Sequence, residues 1–245
     1  MFKYLREDIR KVKTEDPAAT NSFVILLCYP GIHAVAAHRC EHWLWRHHIR
    51  GLARFLSQCT RFFTGIEIHP GAELGRRVFI DHGMGVIIGE TAVVGDDVVL
   101  YQGATLGGTG KESGKRHPNV EAGAVIGVGA AVLGNVTIGA RSKVGGGAVV
   151  VDNVPADCTV VGIPGRVVSQ NGIRINPADP YRRDPLPDPV ETQIEELTER
   201  VAALEQALVS RSQGTLTATD TFQNMDNQLQ TLWQPAARSL ESNES

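Results

Sequence analysis

The hydrophobic pattern in the centre of the chain repeats every six residues. An aliphatic anchor returns at this spacing in three blocks: Ile68, Leu74, Ile80; Ile88, Val94, Leu100, Leu106; and Ile126, Val132, Ile138, Val144, Val150. Small or modest side chains stand two positions before most anchors: Ala72, Val78, Ala92, Val98, Ala104, Ala124, Ala130, Val136, Ser142 and Ala148. A six-residue unit holds one short strand and one turn, so it buries its apolar side only when successive units coil and stack. The pattern predicts a parallel β-helix.

Glycine marks the turns of this repeat. Of the 26 glycines, 22 lie between Gly65 and Gly165, and several directly follow an anchor, as Gly95 and Gly127 do. Because glycine has no Cβ, it lets the backbone turn sharply or adopt a positive φ, and we expect these glycines at the corners. A glycine-rich sandwich would instead need alternating strands with regular hairpin dipeptides, which the sequence lacks.

The repeat is interrupted twice. Ile80 and Ile88 stand two residues further apart than the period, and residues 107–118 separate Leu106 from the later anchors. An insertion that leaves a solenoid is expected to form a functional loop. The glycines, lysines and arginine of this loop suit a ligand that carries phosphate, although an idle solvated surface loop has the same composition.

The flanking segments predict further domains around the β-helix domain, residues 65–168. Residues 1–64 read as an α-helical cap, with one helix starting at Asp16 and Pro17 and another from about 32 to 47. Five prolines between Pro177 and Pro189 make residues 169–190 an extended linker. The fold class is therefore α+β, with the β-helix between helical segments.

The tail, residues 191–245, is predicted to form amphipathic helices. Apolar residues recur there at a spacing of three and four: Ile194, Leu197, Val201, Leu204, Leu208, and again Phe222, Met225, Leu229, Leu232. Two heptads apiece permit a short coiled coil with another copy or a partner. They equally permit a single helix that packs on its own protomer.

Charge and composition exclude several classes of function. The chain of 245 residues has 24 basic and 27 acidic side chains, a formal charge of −3, which argues against a nucleic-acid partner. The longest apolar run, residues 23–28, is far short of the roughly 20 residues that span a membrane. No secretory signal is evident, so we expect a cytoplasmic protein. The four cysteines form no CxxC pair, which argues against a zinc site or a disulfide framework.

Histidines are the candidates for acid–base chemistry near neutral pH. His82 stands in Phe-Ile-Asp-His-Gly-Met-Gly, just before the first break in the repeat. Glu67 precedes it by fifteen residues, close to one coil of eighteen, so its carboxylate is placed to orient the imidazole. A hydrogen bond from His82 to a turn carbonyl is the structural alternative. His38 and His42 have helical spacing but no third ligand, so we predict packing roles and no metal site.

A set of short motifs runs through residues 10 to 168: Asp16-Pro-Ala18, Gly31-Ile-His-Ala34, Glu41-His-Trp-Leu-Trp45, Ile68-His-Pro70, Ile80-Asp-His82, Gly89-Glu-Thr91, Thr105-Leu-Gly-Gly-Thr-Gly110, Arg116-His-Pro118 and Gly162-Ile-Pro-Gly165. In combination they resemble the serine O-acetyltransferases of the hexapeptide-repeat acyltransferases. The resemblance implies a left-handed β-helix that forms trimers through its coils, hexamers through its helical caps, and active sites between subunits. It implies acetyl transfer from acetyl-CoA to L-serine, which gives O-acetyl-L-serine in the first step of cysteine biosynthesis.

The same resemblance implies a role for individual residues. His82 corresponds to the general base, and Glu67 to its carboxylate partner, where the family commonly has aspartate. Four residues match those that hold the two ends of serine, its amino group first and its carboxylate second: Asp16 and Asp81, then Arg116 and His117. Five match positions that line the acetyl-CoA channel: Gly108, Thr109, Val128, Lys143 and Gly146.

The resemblance also implies ligands and partners, and other functions compete with it. Acetyl-CoA is expected as a co-substrate with no tightly bound cofactor, and L-cysteine as a feedback inhibitor that competes for the serine pocket. Family members that dock into O-acetylserine sulfhydrylase use a C-terminal isoleucine, whereas this chain ends in Glu241-Ser-Asn-Glu-Ser245, so that complex is not predicted. The rivals are an acetyltransferase with another acceptor, a zinc-dependent carbonic anhydrase-like β-helix protein, and a non-catalytic assembly scaffold.

Overall fold

The computed structural model describes residues 2–110, 113–175, 194, 197–206, 224–225 and 227–229. The chain divides into two compact units, Met1–Asp179 and Pro180–Ser245. The first unit consists of four helices followed by a β-helix, and the described residues of the second unit are helical.

The helices of the first unit are α1 (Phe2–Glu15), α2 (Ser22–Cys28), α3 (Pro30–Arg46) and α4 (Arg50–Thr64). Asn21 caps α2 by accepting the N–H of Phe23 at 2.8 Å. Pro30 opens α3, where its missing N–H leaves no hydrogen bond unmade. Gly65 ends α4 with a φ of +72°, a left-handed cap that favours glycine.

The helix start predicted at Asp16 and Pro17 is wrong. α1 ends at Glu15, and Asp16 opens the turn to α2, where its Oδ1 accepts the N–H of Ala18 at 2.8 Å. An aspartate that accepts an amide two residues later forms an Asx turn, whose sequence resembles that of a helix cap. The second predicted helix, from about 32 to 47, agrees with α3.

Helix α3 lies directly against the first coil of the β-helix. Gly31 approaches Ile80 so closely that a Cβ would collide with the Ile80 carbonyl, and Ala34 and Val35 join the β-helix core. Among the described helices, none is long and apolar enough to cross a membrane alone. Only α2 and α3 taken together reach that length and hydropathy, and a bend of 71° separates them.

Short parallel strands form three faces of the β-helix. The first face contains β1 (Glu67–Ile68), β4 (Ile87–Ile88), β7 (Thr105–Gly107), β10 (Ala131–Leu133) and β13 (Val149–Val150). The second contains β2 (Glu73–Leu74), β5 (Val93–Val94), β8 (Asn119–Val120) and β11 (Thr137–Ile138). The third contains β3 (Phe79–Asp81), β6 (Val99–Tyr101), β9 (Val125–Ile126), β12 (Lys143–Val144) and β14 (Cys158–Val161), extended by β15 (Arg166–Gln170) and β16 (Ile173–Arg174).

The corners between these faces are named by the face they follow. The chain passes from the first face to the second at the first corner, from the second to the third at the second corner, and from the third to the first face of the next coil at the third corner. The insertion leaves the β-helix at the first corner, after β7 ends at Gly107 and before β8 begins at Asn119, and its residues 108–110 and 113–118 are described.

Successive coils place one anchor above another. Ile68 pairs with Ile88, and Val132 pairs with Val150, in parallel register. Every predicted anchor is buried except Leu74, which is half-buried, and all ten of the preceding small or modest residues are buried. Because each buried aliphatic side chain contributes roughly 1.5–3 kcal/mol, this column stabilises the coil. The left-handed parallel β-helix is confirmed.

The glycines that follow the anchors are required for space. A Cβ on Gly95 would stand 2.8 Å from the amide nitrogen of Ala122, and one on Gly127 would stand 2.7 Å from that of Gly146. None of these post-anchor glycines has a positive φ, so that part of the expected explanation is wrong. The backbone of the next coil passes where their side chains would lie. Positive φ occurs at other glycines, among them the stacked glycines of the third corner: Gly85, Gly103, Gly129 and Gly147.

Strand pairing continues beyond residue 168, where the linker was predicted to begin. β15 pairs antiparallel with β14, and β16 pairs with β15, so the sheet continues to Arg174. Residues 169–174 therefore belong to this sheet. The proline-rich stretch from Pro177 lies outside the described residues.

In the second unit, the described part of the tail is helical. Its apolar residues are exposed: Ile194, Leu197, Val201, Leu204, Met225 and Leu229. Leu208, Phe222 and Leu232 lie outside the described residues. The pairing of this apolar stripe with another copy stays a prediction.

Candidate active site

The predicted site residues form two groups at different corners of the β-helix. The His82 group, at the third corner, consists of Asp16, Tyr29, Asp81 and His82. The His117 group, at the first corner, consists of Glu90, Thr91, Arg116 and His117. β4 lies between Asp81-His82 and Glu90-Thr91 in the sequence, so within one chain the first face separates the two groups.

His82 is presented to solvent by an unusual backbone conformation. It follows β3 with a φ of +56°, a left-handed conformation that costs a residue with a Cβ roughly 1–2 kcal/mol. Its side chain is 74% exposed in the single chain, and its Nε2 lies 4.0 Å from Oδ1 of Asp81. Neither ring nitrogen has a hydrogen-bond partner among the described residues, so the alternative of a bond to a turn carbonyl is not observed.

Asp16 joins the His82 group from the helical cap. Its Oδ2 accepts the hydroxyl of Tyr29 at 2.5 Å, and its Oδ1 accepts the N–H of Ala18. The Tyr29 hydrogen bond is the largest cause of the lowered pKa of Asp16, and the charge of His82 also lowers it. The same hydrogen bond is the main cause that raises the pKa of Tyr29 to about 12, with a further contribution from Asp81. Asp16 is therefore an ionised carboxylate near His82 at neutral pH.

Glu67 pairs with arginines of α4. Its Oε2 lies 3.3 Å from Nη1 of Arg61, and its Oε1 lies 4.0 Å from Nη2 of Arg54. The predicted hydrogen bond between Glu67 and His82 is absent from the single chain. Two cations attract this carboxylate, whereas the left-handed turn at His82 directs the imidazole outward. An open pocket beside Glu67 is walled by Phe62, Met84 and Ile87, whose side chains are exposed.

The His117 group is built on the turn that follows β4. The Thr91 hydroxyl accepts the N–H groups of both Arg116 and His117, at 3.0 and 3.1 Å. Nζ of Lys115 donates to the Thr91 carbonyl at 2.6 Å. These contacts fix the end of the 107–118 loop on the β-helix, and hold the two predicted carboxylate-binding side chains there.

An ion pair and a buried ring complete this group. Nη2 of Arg116 donates to Oε2 of Glu90 at 2.6 Å, and this contact is the main cause that lowers the pKa of Glu90. His117 is 8% exposed, and burial, followed by the charge of Arg116, lowers its pKa. The group thus offers a guanidinium and a neutral imidazole to an anion.

Three of these residues are absent from the sequence-based assignment. Tyr29 gives no signal beyond its place before Pro30. Glu90 and Thr91 belong to the Gly89-Glu-Thr91 motif, which carried the resemblance without a role being attached to it. The motif was therefore the available signal.

The residues assigned to acetyl-CoA also divide between corners. Gly108 and Thr109 begin the loop at the first corner. Val128 and Gly146 lie in adjacent coils at the third corner, where a Cβ on Gly146 would stand 3.3 Å from the Val128 carbonyl oxygen. Lys143 is exposed on the third face, in β12.

Three further histidines lie where α3 meets the first coil. His38 and His42 have ring centroids 5.7 Å apart, and Nδ1 of His42 bonds to the Pro70 carbonyl at 2.8 Å. His69 packs edge-on against Trp45. Across the described ranges, no group of three or more histidine, cysteine, aspartate or glutamate side chains is arranged to hold a metal ion.

Curated relatives match most of the chain. The serine acetyltransferase of Synechococcus elongatus is 52% identical over 208 residues, 85% of this chain and 84% of the relative. That of Bacillus subtilis is 52% identical over 212 residues, 86% of this chain and 97% of the relative. No family model matches the chain.

Solved structures of serine acetyltransferases share the fold. The Neisseria gonorrhoeae enzyme in complex with serine has a TM-score of 0.66 and 40% identity, and the match covers 69% of each chain. The Brucella abortus enzyme in complex with coenzyme A has a TM-score of 0.68 and 42% identity, covering 70% of this chain and 69% of the other. A further serine acetyltransferase, in complex with cysteine, has a TM-score of 0.67 and 41% identity, covering 68% and 69%. By sequence identity over most of both lengths, and by fold, the chain belongs to the serine acetyltransferase family.

Proposed function

We propose that this chain transfers the acetyl group of acetyl-CoA to the hydroxyl of L-serine, which gives O-acetyl-L-serine and free CoA in the first step of cysteine biosynthesis. Relatives that carry this name, and solved relatives that hold serine and coenzyme A, support the activity. The observation that carries the proposal is the chemistry of the two groups. Asp16 and Asp81 suit an ammonium group, and Arg116 and His117 suit a carboxylate, so together they match an amino-acid zwitterion.

The site is proposed to form between copies of the chain. A small amino acid cannot bridge two corners of one β-helix. In a ring of three copies, the third corner of one copy meets the first corner of its neighbour, which brings the two groups together. Exposed aromatic side chains support association, since Phe55, Phe62 and Phe63 of α4 are 65%, 82% and 82% exposed in the single chain. Hexamers joined through the helical caps belong to the same proposal.

His82 is proposed as the general base. Its imidazole takes the hydroxyl proton of serine as that oxygen attacks the thioester carbonyl of acetyl-CoA. The carbon–sulfur bond then breaks, the acetyl group stays on the serine oxygen, and the imidazolium returns its proton to the CoA thiolate. A ring nitrogen without a hydrogen-bond partner is available for this transfer, which typically contributes about 10²–10⁴ to the rate.

The glycine stack at the third corner supports a route for the pantetheine arm of acetyl-CoA. A Cβ on Gly103 would stand 3.3 Å from Cα of Gly129, and one on Gly129 would meet nothing within 4 Å. The corner is therefore a shallow groove without side chains, beside the exposed Val128. Lys143 is proposed to attract a phosphate of CoA, with Gly108 and Thr109 of a neighbouring copy closing the channel.

L-Cysteine carries the same ammonium and carboxylate groups as L-serine, with a thiol in place of the hydroxyl. We therefore propose that it competes for the same pocket, in agreement with the cysteine complex of a solved relative. Acetyl-CoA acts as a co-substrate, with no tightly bound cofactor, in a cytoplasmic enzyme.

One assay tests the function directly. Release of free CoA thiol from acetyl-CoA is followed with L-serine, homoserine, a galactoside or no acceptor. We expect release with serine at a rate well above the other three. Preference for another acceptor would identify a different hexapeptide-repeat acetyltransferase, and absence of release with every acceptor would support the scaffold. Stoichiometric zinc with hydration of carbon dioxide would support the carbonic anhydrase-like alternative.

A further inference from the structure

We propose that Thr91 is a positioning residue that holds the His117 imidazole as the neutral tautomer with its proton on Nε2. The inference rests on the proposed function and deepens it, because the tautomer decides what His117 offers to serine. A ring with its proton on Nε2 donates a hydrogen bond from that atom, and the opposite tautomer accepts one there.

The backbone amide of Thr91 excludes a proton on Nδ1. This N–H lies 3.2 Å from Nδ1 of His117. A backbone N–H can only donate, so Nδ1 must accept and carries no proton in this arrangement. A neutral imidazole holds one proton, which therefore stands on Nε2.

The Thr91 hydroxyl reinforces the same tautomer. Its Oγ1 accepts the N–H groups of Arg116 and His117, at 3.0 and 3.1 Å, and lies 2.9 Å from Nδ1 of His117. A hydroxyl has two acceptor positions and one proton. Because both acceptor positions are taken, the hydroxyl proton is left to donate to Nδ1. If Nδ1 carried a proton, its N–H would face two other donors, the backbone N–H and the hydroxyl of Thr91.

The charges around the ring also disfavour an imidazolium. Arg116 and Lys115 precede it in the chain and lower its pKa by their charge, while Glu90 opposes them. The Glu90 carboxylate is engaged by Arg116 at 2.6 Å, which leaves less of its charge for the imidazole. His69 of the preceding coil is a further titratable neighbour, and the charge of His117 in turn lowers the pKa of His69.

The Nε2 edge of the ring lies over glycines. A Cβ on Gly89 would collide with this edge, and one on Gly108 would stand 3.2 Å from Nε2. Gly108 is among the residues assigned to the acetyl-CoA channel, so Nε2–H lies beside the reacting region. As a fixed donor there, His117 binds a carboxylate oxygen of serine and is unsuited to take the hydroxyl proton. His82 is therefore the general base, and His117 holds the carboxylate of serine.

Two substitutions of Thr91 separate this role from a structural one. Thr91→Val keeps the shape but loses the hydroxyl, and Thr91→Ser keeps the hydroxyl. We expect Thr91→Val to raise KM for L-serine about tenfold or more, because buried hydrogen-bonding groups lose their partner. KM for acetyl-CoA should change by less than about twofold, and Thr91→Ser should restore the KM for serine to within about threefold of wild type. An unchanged KM for serine in Thr91→Val, or an equal rise of both KM values, would overturn the proposal.

The tautomer is read independently by solid-state NMR of the full-length enzyme labelled with ¹⁵N-histidine. The chain has eight histidines, so His117→Gln identifies the signals of His117 by their loss. We expect a protonated Nε2 and an unprotonated Nδ1 in the wild type at neutral pH. The preference should be weaker in Thr91→Val, which loses the hydroxyl contact with Nδ1 but keeps the backbone N–H. A protonated Nδ1 in the wild type would overturn the inference. The expected NMR signals in an enzyme that fails to acetylate serine would reject the proposed function while supporting the tautomer.

Discussion

Substitution of His82 should change the activity and leave the stability nearly unchanged, because its ring makes no hydrogen bond with another described residue. Its backbone has a φ of +56°, which asparagine tolerates better than alanine. We therefore expect His82→Asn to lower kcat by about 10² or more, the usual scale for a general base. Thermal unfolding and elution volume should match the wild type. His82→Ala should lose the same activity and slightly more stability, and near-wild-type turnover in either variant would reject the role.

Glu67 has two possible functions that a double variant distinguishes. In the single chain it pairs with Arg61 at 3.3 Å, whereas the family resemblance implies that it is the carboxylate partner of His82. We expect Glu67→Gln to lower kcat about tenfold or more, and the double variant with His82→Asn to be no slower than His82→Asn alone, because a residue that acts through another has no effect once that residue is gone.

The control for this cycle is Arg61→Gln, which removes the ion pair and keeps the carboxylate. Its kcat should stay close to wild type. Full turnover in Glu67→Gln would show that the carboxylate serves only the contact with α4.

At the scale of single residues, the sequence motifs predict which residues contribute to the site, but not which atoms they contact. The sequence around Asp16 predicts a helix cap, because an Asx turn and a cap use the same side chain toward the same amides. Its bond to Tyr29 spans thirteen residues and the whole of α2, which no local pattern encodes. The contacts of Thr91 with residues 115–117 depend on where the loop returns, which the six-residue period does not determine.

Among the elements, the spacing between coils depends on glycines that have no room for a side chain. A Cβ on Gly95 would stand 2.8 Å from the amide nitrogen of Ala122, part of the rigid backbone of the next coil. We expect Gly95→Ala to lower the free energy of unfolding by about 1–3 kcal/mol, the typical effect of overpacking. The matched control is Gly51→Ala in α4, where the new Cβ would meet nothing within 4 Å.

Gly51→Ala should raise the free energy of unfolding by about 0.5–1 kcal/mol, since alanine favours helix more than glycine does. Denaturant unfolding at one protein concentration measures both variants. Equal effects of the two substitutions would contradict the crowding argument.

The contact between α3 and the first coil should weaken in acid. Burial is the main cause that lowers the pKa of His38 to about 3, and His42 adds to it by charge. Burial likewise lowers the pKa of His69 to about 4, with Arg54 adding to it. Since these folded pKa values lie below the unfolded value of about 6.5, the unfolded chain binds more protons in acid. Stability is full above pH 6.5 and falls as the pH drops toward the folded values.

The His38 contribution can be isolated with His38→Gln. Glutamine retains an N–H donor for the Ala72 carbonyl, with which the His38 ring bonds, and it does not titrate. Between about pH 6.5 and 5, the free energy of unfolding should fall less steeply in the variant than in the wild type, by up to about 1.4 kcal/mol per pH unit. In thermal unfolding, this difference appears as a smaller decline of Tm. Parallel curves would contradict this role of His38.

The six-residue period predicts the strands correctly where successive coils have the same number of residues. Ile126 and Val144 are eighteen residues apart and pair directly. Val94 and Val120 also pair, but they are twenty-six residues apart because the 107–118 loop lengthens that coil. The six-residue period therefore does not identify Val120 as an anchor. The antiparallel strands β15 and β16 follow no six-residue period, which explains why the predicted linker began too early.

At the scale of the whole molecule, the proposed site requires two copies of the chain, and the sequence specifies this requirement only in part. The sequence identifies the charged residues of both groups, but their division between two corners follows from the order of strands around the coil. The family resemblance implies active sites between subunits. The topology supplies a physical reason, because the first face lies between Asp81-His82 and the Arg116-His117 pair within each chain.

A mixture of two inactive variants tests whether neighbouring copies share the site. His82→Asn removes the base at the third corner, and Arg116→Gln removes the guanidinium at the first corner, so each variant alone should be inactive. In mixed rings, a boundary is intact when its third corner comes from an Arg116→Gln copy and its first corner from a His82→Asn copy. Random co-assembly in equal amounts should therefore restore roughly a quarter of wild-type turnover. Mixing His82→Asn with Asp81→Asn should restore none, because both changes affect one corner. Failure of the first mixture, with mixed rings verified by mass spectrometry, would place the whole site within one chain.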